Sequence, residues 1–299
     1  NVAPVITVED TAPANERDVV TFTATAEDAD GSVASYLWTQ TSGTPVIDLV
    51  SDTATLSFTA PHITVDEVLT FDLTVTDDAD ATTTAQFDFG INAFDVVSAE
   101  MFTDSGLSAC LLGDVTIDLG IDTISCDEFD ISSLADLAQF PNLQHLSITN
   151  AHLENTSDLA ALVNLITLDL SYNDITTTEY VATLPLLTEL NLSYNQVQYP
   201  ILTFAAENLA LLNLDSIYKN GYAGADIDIN KLAELLQLTT LNVSNNKLLN
   251  LAKFSALTKL TSLEMTHSRI NTLSFLTGLT QLTSLDISSN SYITDLSGL

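Results

Sequence analysis

The chain has 299 residues, 46% of them hydrophobic, and 40 acidic side chains against seven basic ones give it a net charge of −33. Such a surface repels phosphate backbones and anionic lipid headgroups, which excludes nucleic acid and the membrane surface as natural partners. No apolar run reaches the roughly 18–20 residues that span a bilayer, so no direct membrane insertion is expected.

The imbalance is uneven. From Lys219 onward six basic residues meet six acidic ones, whereas residues 1–218 hold Arg17 against 34 acids. The surplus favours solubility in salt, cation binding or basic partners. The start, NVAPVITVED, lacks a basic region followed by a long apolar stretch, and the end, DLSGL, falls part-way through a repeat. The expectation is a piece of a larger protein whose targeting and anchoring signals lie outside it.

In chain order, the first 92 residues read as strands. VITV near the start, VVTFTATA (19–26), SYLWTQ (35–40), VIDL (46–49), ATLSFTA (54–60), LTFDLTVTD (69–77) and TTTAQFDFGI (82–91) are separated by polar turn residues at the spacing of an immunoglobulin-like sandwich. Trp38, the only tryptophan, lies inside one of these runs, where core packing is expected. Two aspartate-rich turns, DAD at 28–30 and DDAD at 77–80, should emerge at the same end of such a sandwich. Asp28, Asp30, Asp77, Asp78 and Asp80 are therefore a candidate Ca²⁺ site, because Ca²⁺ takes oxygen ligands and offsets crowded carboxylates. The competing reading is a pair of solvated turns that use Asp for backbone reasons. No other cofactor is required.

Residues 93–120 form a junction. There FTDSGLSACLL (102–112) places Asp104 or Ser105 as the N-cap of a short amphipathic helix. From residue 121 the template L-x-x-L-x-L-x-x-N-x-L recurs with starts at 121, 143, 165, 187, 209, 238, 260 and 282. Every step is 22 residues except the 29-residue step from 209 to 238. This predicts an α/β-type solenoid over 121–299 with about eight repeats, the last truncated. The L-x-L pairs form parallel concave strands, and later leucines such as Leu159, Leu162, Leu232 and Leu235 close a convex side of short helical, 3-10 or irregular turns. Asn173, Asn195, Asn246 and Asn290 occupy the asparagine position; Phe129, Ala151, Ile217 and Ser268 replace it elsewhere.

Two resemblances follow. DADGSVASYLWTQTSG, FTAP (58–61) and LTFDLTVTDDADATT make residues 1–92 similar to the PKD-like immunoglobulin-type domains of bacterial secreted and surface proteins. The chain departs from them in reading LWTQTSG where typical members carry a WDFGDG-type signature. The repeats resemble the 22-residue leucine-rich class of the internalins and of a eukaryotic phosphatase regulator. Bacterial surface proteins with similar repeats often begin with a Cys-bearing cap helix tied to the first strand, which implies a Cys110–Cys126 disulfide and an oxidising compartment. Two buried free thiols are the alternative.

No nucleophile motif, phosphate-cradling loop or histidine pair points to catalysis, so the chain is read as not an enzyme. Two outward rows on the concave face are short and polar. One includes Asp169, Asn191 and Asn213; the other, two positions before the asparagine, includes Ser171, Ser193 and Asp215. Tyr172 and Tyr194 stand at equivalent positions of adjacent repeats, Tyr218 just past the next, and Tyr222 in the seven-residue insertion. Tyrosine offers rigid amphipathic contact area, which makes these four with Asp169, Asn191 and Asn213 the candidate ligand-binding set. The plainer alternative is a solvated strand face with tyrosine rings lying over neighbouring leucines. The two resemblances imply an extracellular or bacterial cell-surface adhesion module that binds a host or neighbouring-cell protein. The alternatives are a glycan-binding region of a secreted polysaccharide-degrading enzyme, or a structural spacer.

Overall fold

The computed structural model describes residues 1–7, 11–113, 117–197, 207–217, 226–228 and 232–298, and the chain divides into two compact units, Asn1–Asp95 and Val96–Leu299. In the first, alternating apolar residues build nine strands: β1 Val5–Thr7, β2 Ala14–Asn15, β3 Val19–Thr23, β4 Thr25–Glu27, β5 Val33–Ser42, β6 Ile47–Val50, β7 Thr55–Thr59, β8 Glu67–Asp77 and β9 Thr82–Asn92. One sheet runs β2-β9-β8-β5, a second β3-β7-β6, and β1 pairs with β4. This is the all-β sandwich the alternation predicts.

β8 shows the period most plainly. Leu69, Phe71, Leu73 and Val75 are fully buried while the residues between them face outward. Across the core, Phe58 of β7 stacks on Phe71 at 5.1 Å. Trp38 of β5 is 2% exposed, lies 5.1 Å from Phe87, and donates its indole N–H to the carbonyl of Thr53 at 3.1 Å. Its polar edge is thereby satisfied, which a buried tryptophan requires.

In the second unit a 3-10 turn at Ala99–Met101 precedes helix α1, Ser105–Leu111. Asp104 is its N-cap and accepts from the Leu107 amide at 2.8 Å. The same carboxylate also accepts from the Ser132 amide, the Ser132 hydroxyl and the Ser133 amide, which pins the helix to the first repeat. Cys110 of α1 is disulfide-bonded to Cys126, with a Cα–Cα distance of 5.7 Å. A Cys110→Ala/Cys126→Ala variant is expected to lose about 3 kcal/mol through the enlarged unfolded ensemble, read by urea unfolding of this unit.

Ten short strands follow: β10 Thr123–Asp127, β11 His145–Thr149, β12 Thr167–Asp169, β13 Glu189–Asn191, β14 Leu211–Asn213, β15 Asp226–Asp228, β16 Thr240–Asn242, β17 Lys247–Leu249, β18 Ser262–Glu264 and β19 Ser284–Asp286. Eight of them form one parallel sheet in the order β10-β11-β12-β13-β14-β16-β18-β19. Leu146, Leu168, Leu190, Leu212, Leu241, Leu263 and Leu285 stand side by side in register. The 29-residue step leaves this pairing intact, since Leu212 pairs directly with Leu241. Where the repeat resumes after the insertion, β15 pairs in parallel with β17 in a separate two-stranded sheet. Ile227, Leu232 and Leu235 resume buried positions after it. Opposite the strands, 3-10 turns at Ala135–Gln139, Ser157–Ala161, Val181–Thr183, Leu251–Ala256 and Ser274–Gly278 close the convex side over leucines such as Leu159.

A buried asparagine ladder stitches the coils. Asn195 donates to the carbonyls of Leu170, Leu192 and Ser193 and accepts from the Ile175 amide, reaching back one repeat. At the position where serine replaces asparagine, the Ser268 hydroxyl takes over part of that role, bonding to the carbonyls of Val243 and Thr266.

Candidate functional site

In-register parallel pairing aligns equivalent residues of successive repeats into rows. The middle row runs Ser125, Ser147, Asp169, Asn191, Asn213, Asn242, Glu264 and Asp286. The first half of the concave face holds a groove of about 450 Å³, lined by residues that include Ser125, His145, Asp169, Glu189, Asn191 and Asn213. His145 and Glu189 belong to a further outward row, two residues before the middle one, that the repeat template does not reveal. The strands begin one residue before the template's paired positions, as at His145, Thr167 and Glu189.

Asp169, Asn191, Asn213, Asn242 and Asp286 of the middle row hold the turn at the end of their strands. Asp169 accepts from the Ser171 amide at 2.9 Å and its hydroxyl at 2.6 Å, and Asn191 does the same for Ser193 at 3.1 and 2.8 Å. Asn213 accepts from the Asp215 amide at 3.0 Å. Asn191 also donates to the free oxygen of Asp169 at 3.0 Å, which links adjacent repeats. As a result Ser171 and Ser193 are only 4% exposed. The row read from sequence as a solvated face is, at these positions, folded under its neighbours.

The next feature explains that burial. Glu128, Asn150, Tyr172, Tyr194, Ser216, Asn245, His267 and Ser289 all have left-handed backbones, with φ between 48° and 64°. This row turns each coil, and its N–H groups reach the next repeat, as when Tyr172 and Tyr194 donate to the carbonyls of Ser193 and Asp215. Asn is favoured in that conformation and a bulky side chain is disfavoured. Tyr172 and Tyr194 therefore occupy strained positions, and their rings stack at 4.4 Å with an interplanar angle of 5°. Tyr172 is 50% exposed and Tyr194 partly so. The carboxylate of Asp215 raises the pKa of the Tyr194 phenol above its ordinary value, with partial burial and Tyr172 adding to the effect. Asp215 in turn accepts from the side-chain NH₂ of Asn245 at 2.8 Å.

Tyr172 and Tyr194 are thus adjacent, beside the groove formed by Asp169, Asn191 and Asn213. Tyr218 and Tyr222 lie outside the described residues. In the sandwich, the two aspartate turns do meet: the Ser32 amide donates to Asp78 at 3.1 Å, and a Cβ at Gly31 would collide with carboxylate oxygens of both Asp28 and Asp78. Asp77 is 1% exposed and accepts from the Ala79 and Ala81 amides and from Asn1. Burial opposes its ionised form, but these hydrogen bonds prevail and hold its pKa below the usual carboxylate value. Asp30 and Asp80 are exposed. Among the described residues no three of the five aspartates bring carboxylate oxygens within 4.8 Å of one another.

Comparison with known proteins matches these two halves. Residues 10–88 fit the family described as "K319L-like, PKD domain", and residues 161–178, 183–203 and 278–298 fit the family described as "Leucine Rich repeat". The chain joins a PKD-like domain to a leucine-rich repeat array. Internalin C2 of Listeria monocytogenes is 23% identical over 68% of this chain and 92% of that one, with a TM-score of 0.60, which shows a shared fold. An internalin F structure from the same organism is 20% identical over 64% of this chain and 70% of that one, at a TM-score of 0.47. The PKD1 domain of Vibrio anguillarum Epp is 28% identical over 31% of this chain and 98% of that domain, at a TM-score of 0.24. No curated protein sequence gives a significant match. Among the described residues no helix of this PKD-like and leucine-rich repeat chain is long and apolar enough to cross a membrane.

Proposed function

We propose that the chain is a non-catalytic recognition module of an extracellular or bacterial cell-surface protein, with the PKD-like domain as spacer and the concave face of the repeats as the protein-binding surface. The observation that carries this reading is the stacked Tyr172–Tyr194 pair. Each ring sits on a backbone conformation that favours asparagine, and strain of this kind persists where surrounding structure and function demand it. Paired exposed aromatic rings beside a groove supply the large rigid contact area that dominates binding energy at interfaces.

The test uses Tyr172→Asn/Tyr194→Asn. Asn150 and Asn245 occupy the same row with the same backbone, so the variant is expected to fold with stability within about 1 kcal/mol of the parent. Binding to a cell-surface protein captured by the parent chain should fall more than about 30-fold, the loss expected for two truncated aromatic anchors. Unchanged binding would remove the concave edge from the interface. Retention on a glycan array that is lost in the same variant would favour carbohydrate recognition instead.

A second reading concerns Ca²⁺ in the sandwich. One oxygen of Asp28 is enclosed without a hydrogen-bond partner among the described residues and crowds Gly31 together with an Asp78 oxygen. A cation there would offset both charges. Millimolar CaCl2 is then expected to raise the Tm of the sandwich relative to EDTA, read by Trp38 fluorescence; identical melting would dismiss the site.

A further inference from the structure

Resting on the recognition reading above, we infer that the concave groove takes a segment of a partner protein that carries more than one lysine or arginine, with its cationic groups set against the carboxylates of Asp169 and Glu189 in the groove and the open face of Tyr172 beside it. Three observations meet here. First, the outward rows of the eight-stranded sheet and the left-handed row beside them carry Asp127, Glu128, Asp169, Glu189 and Asp215 in their first half, and no lysine or arginine among the described residues. The described lysines stand elsewhere: Lys253 lies in a convex 3-10 turn, Lys259 donates to Gln237, and Lys247 opens β17. Among the described residues no lysine or arginine on these rows offsets their charge.

Second, these carboxylates differ in how they are engaged. Asp169 is held by Ser171 and Asn191, which fixes its direction. Glu189 on the adjacent strand is exposed and lines the same groove. A neutral ligand lying over them would strip their water without replacing it, whereas a cation compensates them as it displaces water.

Third, the aromatic pair offers a face to such a cation. Tyr194 covers one side of the Tyr172 ring, the row position one repeat earlier carries the short Asn150, and Tyr172 is half exposed. A lysine ammonium or arginine guanidinium within about 6 Å of a tyrosine centroid is attracted by the ring quadrupole. The carboxylate of Asp215 holds the neighbouring Tyr194 phenol in its neutral form.

The probe is an array of peptides in which lysine, arginine, glutamate and neutral residues are placed at matched positions, together with a neutral oligosaccharide array, offered to the intact chain. Net charge alone attracts basic peptides, so the comparison is between variants of equal charge. Asp169→Asn/Glu189→Gln is expected to lose at least about tenfold in affinity for lysine- and arginine-bearing peptides. Asparagine is accommodated there, since Asn191 and Asn213 already stand side by side in that row. The control, Asp52→Asn/Glu154→Gln, removes two exposed carboxylates outside the groove and should stay within about twofold of the parent. Equal losses in both variants would reveal adsorption to net charge and overturn the proposal. So would an array that shows no preference for cationic peptides. Binding of neutral peptides that is abolished by Tyr172→Asn/Tyr194→Asn but untouched by Asp169→Asn/Glu189→Gln would overturn the cationic partner while leaving the recognition surface standing. Indifference to all three variants would defeat both.

Discussion

Replacing Asn173 with alanine is expected to lower the stability of the repeat unit by about 3–5 kcal/mol, because it orphans several buried backbone groups at once. The side chain is 1% exposed. Its amide nitrogen donates to the carbonyls of Ile148, Leu170 and Ser171 at 2.7, 3.0 and 3.2 Å, and its oxygen accepts from the Ala151 and Leu153 amides at 3.1 and 3.0 Å. Two coils thus depend on one residue, and alanine neither reaches those groups nor admits water to all of them. Serine should fall between, since Ser268 shows that a hydroxyl at this position reaches two carbonyls but has only one proton to share between them. Urea unfolding followed by far-UV circular dichroism reads the effect. Trp38, the only tryptophan, lies in the sandwich core, so its fluorescence transition should not move. A loss under about 1 kcal/mol would mean that ordered water substitutes for the ladder.

The ladder's importance is readable from sequence because it repeats, and the same holds for most of the fold. LTFDLTVTD alternates through a whole strand, so β8 follows from its pleat alone, and the 22-residue period places the eight concave strands, including β14 before the insertion. Features without periodic support are less visible. β2 is two residues long, and β15 follows directly on the insertion, where its pairing with β17 depends on a tertiary neighbour. The binding face was half legible. Asp169, Asn191 and Asn213 follow from strand alternation, but the same alternation fails at Ser171 and Ser193, because the left-handed residue after each ends the pleat and folds it inward. Equivalence of Tyr172 and Tyr194 is a matter of counting. Their stacking is set by backbone dihedrals that no side-chain pattern reports.

Asp104 carries the other large effect. Asp104→Ala is expected to cost about 2–4 kcal/mol near pH 7, since it removes a helix N-cap and three further hydrogen bonds to the first repeat together. The carboxylate is 6% exposed. Burial works against its charge, but the donors on Leu107, Ser132 and Ser133 outweigh that penalty and bring its pKa below the usual carboxylate value. The sign of the pH dependence follows. In the unfolded chain the group titrates near its ordinary value of about 3.9, so its stabilising contribution is fully present above that pH. It is lost as pH falls further, through the lower folded value, because the protonated acid no longer accepts four hydrogen bonds as an anion does. The stability gap between parent and Asp104→Ala should therefore be constant from neutral pH down to about pH 5 and shrink below about pH 4. Asp104→Asn separates the roles of shape and charge. Its carbonyl oxygen can still cap α1, but its NH₂ group then faces the donors of Ser132 and Ser133, so most of the loss should persist and its pH dependence should vanish. Measuring all three proteins with the Cys110–Cys126 bond intact keeps the helix tethered, so that any remaining loss belongs to the carboxylate. A gap that stays constant through pH 3 would assign Asp104 a packing role, with its hydrogen bonds contributing as a neutral acid's would.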